Sequence, residues 1–105
     1  MTARFTLFGI KGLKVPDVAQ LVAEALSVQL ARRESSYKGG EYFFHRGADE
    51  VEISVEEHVR DEEGFQAEPE FSEYAVLVYL SYSRLDMEER LLAVKGLDFL
   101  RSESI

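Results

Sequence analysis

The chain contains no cysteine. That excludes a disulfide framework, a thiolate nucleophile and a thiolate metal site in one step. Long apolar runs are also lacking. The longest, Tyr74 to Leu80, falls far short of the roughly 20 residues a membrane-spanning helix needs. The first residues, Met1-Thr2-Ala3-Arg4-Phe5, alternate like a strand and carry none of the parts of a signal peptide. Glycine patterns for phosphate are missing too. Gly39-Gly40 follows Lys38 and leads into a strand, and Gly9 and Gly12 have no third partner. No nucleophile elbow and no zinc-protease motif occurs. These absences point away from an enzyme and towards a soluble cytoplasmic protein with no cofactor.

Base is the scarcest commodity in one part of the chain. Residues 49–73 hold eleven of the twenty acids and a single base, Arg60, while the remainder carries eleven bases and nine acids. The net charge of −8 therefore originates in one quarter of the sequence. Phosphates are repelled by such a field, so neither nucleic acid nor an anionic membrane is expected as a partner. A basic protein surface is attracted by it.

With 105 residues and a hydrophobic share of 46%, the chain is expected to form one domain, residues 1–105, around one modest core. Phe5, Leu7 and Gly9 alternate with Thr6, Phe8 and Ile10, which predicts a first strand over residues 4–11. Pro16-Asp17 opens a helix, whose apolar face is Val18, Leu21, Val22, Ala25 and Leu26 and which ends near Ser27. Strands are predicted over residues 28–34 and 41–46, separated by a turn at residues 35–40. A fourth strand turns Val51, Ile53 and Val55 inward and Glu50, Glu52, Ser54 and Glu56 outward. Residues 60–73 read as an acidic loop, and residues 74–82 as a central strand buried on both faces. A helix from near Asp86, stopped by Gly96, and a strand over residues 97–101 complete the chain. The fold class is α+β: a mainly antiparallel sheet with two helices on one face, in the order β-α-β-β-β-β-α-β. Residues 4–34 and 74–101 share a strand-helix-strand order and similar endings, which would fit a duplicated half with an inserted hairpin.

The candidate surface combines acids and aromatics. Glu52, Glu56, Glu57, Asp61, Glu62 and Glu63 would supply charge, and Tyr37 and Tyr42 would anchor a partner. The plainer reading of any one glutamate is a solvated face that protects a sheet edge. It weakens for the whole window, because edge protection uses one or two charges, commonly lysine. Most of the phenylalanines read as core. His45 and His58, with Glu52 or Glu56 near them on neighbouring strands, offer a rival reading as a metal site or small metal-binding enzyme, although their spacing is not diagnostic.

The stretch Ser35-Ser36-Tyr37-Lys38-Gly39-Gly40-Glu41-Tyr42-Phe43, the acidic strand after it and Glu68-Pro69-Glu70-Phe71 resemble small bacterial immunity proteins. These accompany polymorphic or contact-dependent toxins. The resemblance covers about residues 35–80. It implies a stoichiometric inhibitor without catalysis, whose partner is a cognate toxin domain such as a basic nuclease. It implies no particular contact residues. A second function class stays open beside it: an accessory module that self-associates, with the apolar third and fifth strands as a dimer edge. The expected state is monomer or homodimer.

Overall fold

The computed structural model describes residues 3–35, 40–47, 49–58 and 68–105. Its elements follow the predicted order: β1 (Arg4–Ile10), α1 (Val15–Leu26), β2 (Ala31–Ser35), β3 (Gly40–Arg46), β4 (Glu52–Glu57), a 3-10 turn (Pro69–Phe71), β5 (Val76–Ser81), α2 (Leu85–Leu92) and β6 (Asp98–Ser104). The fold is α+β. One six-stranded sheet runs β2-β3-β4-β5-β1-β6, and every neighbouring pair is antiparallel.

Alternation along the strands sorts the residues into two layers. Thr6, Phe8 and Ile10 of β1 stand opposite Leu80, Val78 and Val76 of β5. Val55 and Ile53 of β4 continue that row, opposite Val78 and Leu80. Against them α1 packs Val15, Val18, Ala19, Val22 and Leu26, and α2 packs Met87 and Leu91. Fully buried Phe8, Val18, Val22, Ile53, Val55, Val78 and Leu91 mark the centre of this core. The α1 stripe repeats at three and four residues, as a helix buried along one face requires. Leu21 and Ala25 lie at its half-buried margins. On the opposite side β5 also buries Leu77, but Tyr79 and Ser81 stay partly exposed, so the strand predicted to be buried on both faces is covered on this one only at its start.

Three boundaries differ from the sequence reading. The second strand begins at Ala31, because Ser27 turns into the left-handed region (φ 56°) and the Val28 N–H bonds back to the Ala23 carbonyl at 3.1 Å. Val28 thereby belongs to the closing turn of α1. The second helix stops at Leu92, short of Gly96. Val94 and Leu97 each bond three residues back, to Leu91 and Val94, and these tight turns carry the chain to Gly96 and into β6. The last strand runs on to Ser104 because Arg4, Phe5 and Thr6 pair with Ser104, Glu103 and Ser102.

The two strand-helix-strand segments interleave in the sheet. The second, β5-α2-β6, brackets β1 between two parallel strands. The first, β1-α1-β2, crosses from the interior of the sheet to its far edge, past β5, β4 and β3. With the β3–β4 hairpin set aside the order is β2-β5-β1-β6, so each segment's two strands flank one strand of the other, as a duplicated half with an inserted hairpin would have it, and each segment ends on an edge of the sheet. Those edges are β2 and β6. The third and fifth strands, expected to offer a dimer edge, both lie inside the sheet with their backbone groups already paired. β2 carries Arg32, Arg33 and Glu34 in its five residues, the kind of charge that discourages strand addition.

Candidate functional site

Both helices occupy one side of the sheet, which leaves the other side as the candidate surface. From β3 it takes Tyr42 and Phe44, from β4 Glu52, Ser54 and Glu56, and from β5 Tyr79 and Ser81, all partly exposed. Tyr42 stands opposite Glu56 and Phe44 opposite Ser54, so aromatic and polar groups interleave across the strands. The Ser54 hydroxyl donates to Glu56 at 2.6 Å. Glu52 accepts from the Arg46 guanidinium, with Nε at 2.8 Å. The Arg33 guanidinium lies over the Phe44 ring, 4.6 Å from its centroid.

The sequence-predicted site is only partly assembled. Tyr42, Glu52 and Glu56 share the open face, as period-two alternation requires. Glu57, one residue further, falls on the helix side instead and lines a groove with Leu13, Lys14, Pro16 and Glu41. Glu50 was expected beside Glu52 and Glu56, but it sits in the β3–β4 turn at φ 68° and is not part of β4. Tyr37, Asp61, Glu62 and Glu63 lie outside the described residues. Phe43, by contrast, turns to the helix side and packs on the core.

The two histidines are not brought together. His45 is paired with Ile53 near the start of β4, whereas His58 follows that strand's other end. His45 Nδ1 lies 3.0 Å from the Gln29 carbonyl. His58 is buried, and its ring joins two segments. The Glu68 backbone N–H approaches Nε2 at 3.3 Å, which makes Nε2 the acceptor and leaves Nδ1–H to donate to the Tyr74 carbonyl at 3.0 Å. His58 therefore holds Glu68 beside the start of β5, a structural use of the residue that the metal reading assigned otherwise. Among the described residues no three histidines, aspartates or glutamates form a group suited to a metal ion.

A second cluster on the open face was not anticipated. Arg101 of β6 reaches three carboxylates. It bonds Glu68, bonds Glu70 at 3.0 Å and approaches Glu103 at 3.8 Å. Its position follows from the β6 register, in which Arg101 stands opposite Leu7 and Glu103 opposite Phe5. An extra residue, Leu100, enters β6 where Leu7 pairs with Arg101 but Phe8 pairs with Phe99, and the ladder shifts there. The signal available in the sequence was the alternation of Arg101 and Glu103 across serines, which continues the strand period past residue 101. Reading the strand as ended there hid it.

Tyr79 lies beside this cluster. Burial pushes its hydroxyl pKa above the ordinary 10.0, the charges of Glu68 and Glu56 push the same way, and Arg101 opposes them. Its phenol therefore stays protonated where an exposed tyrosine ionises. Tyr74 shifts upward as well, chiefly through its hydrogen bond to Asp98 at 2.8 Å. Alkaline titration followed by phenolate absorbance should show a late-ionising fraction, and Tyr79→Phe should remove its highest part. A Tyr79→Phe curve that overlays the wild type would contradict this placement. The described helices include none long and apolar enough to cross a membrane. Comparison of the chain with protein-family models, curated proteins and solved structures gave no match in any of the three.

Proposed function

We propose that this chain is an immunity-type protein that binds a basic toxin domain through the open face of its sheet and inhibits it without catalysis. The observation that supports this reading most is the composition of that face. Tyr42, Phe44 and Tyr79 are partly exposed there, interleaved with Glu52, Glu56 and the carboxylates around Arg101. Half-buried tyrosines bring large contact area at low entropic cost, and carboxylates beside them steer a cationic surface into register. A basic nuclease groove has the complementary character, because it must hold phosphates. The charge would govern encounter rate, while the aromatics and the shape of the sheet would decide which toxin is accepted.

The test pairs two double variants of equal charge change. Glu52→Lys with Glu56→Lys reverses the open face, and Glu24→Lys with Glu89→Lys reverses exposed acids on the two helices. Each is used to capture a partner from the native lysate at low and high salt, and the partner is then purified and its affinity measured. We expect the open-face variant to bind at least about 100-fold more weakly, in line with loss of close charge pairs. The helix variant should bind as the wild type does. Equal affinity of the two variants would place the interface elsewhere. A captured partner that proves acidic would defeat the proposed class of target.

A further inference from the structure

We propose that a cleft between β5, β1 and β6 on the open face receives a single arginine side chain of the protein partner. This rests on the proposed function's reading of that face as the contact surface, and it adds the chemistry of one anchor. The cleft measures about 70 Å³ and is lined by Phe5, Leu7, Tyr79, Ser81, Arg101 and Glu103. Its size admits a side-chain head and excludes a nucleotide or a cofactor.

Three features select a guanidinium. The first is charge. Arg101 is the base of the cleft wall, and it is engaged by Glu68, Glu70 and Glu103. Arg101 is turned towards Glu68 and Glu70, so Glu103, the carboxylate that lines the cleft, is the most loosely held of the three, at 3.8 Å. The second is hydrogen-bonding capacity. Among the described residues the Tyr79 and Ser81 hydroxyls have no bonded partner, and neither is sealed from solvent. With Glu103 they offer acceptors to a group that brings only N–H donors. The third is shape. The Phe5 and Tyr79 rings and the Leu7 side chain supply apolar and aromatic wall, against which a flat, weakly hydrated guanidinium packs better than a compact ammonium.

Amide-resolved NMR with N-acetyl-arginine amide tests this directly, with the lysine and glutamine amides as comparisons. Saturable single-site shifts confined to Phe5, Leu7, Tyr79, Ser81 and Glu103 are expected with arginine and not with glutamine. Ser81→Leu fills the cleft without changing charge, and Glu103→Gln removes one carboxylate without changing size. Each should weaken arginine binding about tenfold, as loss of a charge-assisted site does. Shifts spread evenly over the acidic residues, lysine binding as strong as arginine, or binding unchanged in both variants would each overturn the proposal. The two readings fail separately. Arginine seated in the cleft while the Glu52 and Glu56 reversals leave partner binding intact would uphold the cleft and remove the proposed function. Loss of partner binding on those reversals, with no arginine in the cleft, would do the opposite.

Discussion

Replacing Glu88 with alanine should destabilise the protein by about 2–4 kcal/mol, the largest effect expected from any exchange at a polar residue. Glu88 sits on α2 with only 5% of its surface exposed. Its carboxylate is satisfied on both oxygens. Arg4 Nε and Nη2 bond Oε2 and Oε1 at 2.6 and 2.9 Å, and the Thr6 and Ser83 hydroxyls each donate to Oε2 at 3.0 Å. The network ties the start of β1, the β5–α2 connection and α2 together, with the Ser83 N–H bonded to the Arg4 carbonyl at 3.0 Å. Alanine would leave a void beside Thr6, which is 3% exposed and would keep only the Ser83 hydroxyl at 3.1 Å. Solvent can reach the guanidinium of Arg4, whose side chain is 30% exposed, and this keeps the loss below that of a fully enclosed pair. In a domain of this size the midpoint of thermal unfolding should fall by about 10–20 °C.

Acid supplies a finer test of the same residue. The Arg4 hydrogen bonds hold the Glu88 carboxyl below its ordinary value of 4.5, against burial, and Ser83 and Thr6 help. The unfolded chain thus takes up this proton before the folded protein does. The stabilisation is fully present above pH 4.5 and drains away as the pH falls through the lower folded value. Glu88→Gln lacks that titration. The stability gap between wild type and Glu88→Gln, measured by urea unfolding, should narrow steadily below pH 4.5. A gap that stays constant with pH would show that the carboxylate charge contributes nothing.

Gly9→Val should cost about 3 kcal/mol, at the upper end of what overpacking does. Gly9 lies in β1 opposite Leu77 and Asp98, between β5 and the edge strand β6. A Cβ there would stand 2.8 Å from Leu100 Cδ1 and 2.8 Å from the Tyr74 ring. The ring cannot readily withdraw. Its hydroxyl is bonded to Asp98, Lys11 lies over its face at 5.1 Å, and Phe71 packs at its edge. Glycine is therefore required here for space, since β1 is an ordinary extended strand at this point. Gly9→Ala should lie between wild type and valine in chemical unfolding. Combining either exchange with Tyr74→Ala should cost less than the two losses added, because the second removes the group the first strikes. Strict additivity would mean that Tyr74 is not what the new side chain meets.

The same residues show how far the sequence could be read. Period-two alternation around Phe8, Ile53, Val55 and Val78, and the helical stripe of Val18 and Val22, specify which faces are buried, because burial of apolar area is a property each segment carries locally. Pro16 and the unbroken run from Val76 to Leu80 likewise announce a helix start and an interior strand. Placing Tyr42, Glu52 and Glu56 on one face needed only that alternation. Glu57, offered with them as a source of charge, falls on the other side, because neighbouring strand residues point to opposite sides.

What the sequence determined by itself is the set of elements, their order, the apolar faces and the acid excess of residues 49–73, all consequences of local periodicity and composition. The tertiary structure alone decided that β1 would lie between β5 and β6, and so which strands became edges. It also decided that Arg101 would face Glu68 and Glu70, that Arg4 would face Glu88, and that Tyr74 and Leu100 would close on Gly9. Each of these is a meeting of residues at least 25 positions apart. Such meetings depend on strand order and register, which many pairings of the same amphipathic segments could satisfy. The choice among them is made only when the whole core closes and every buried polar group has found its partner.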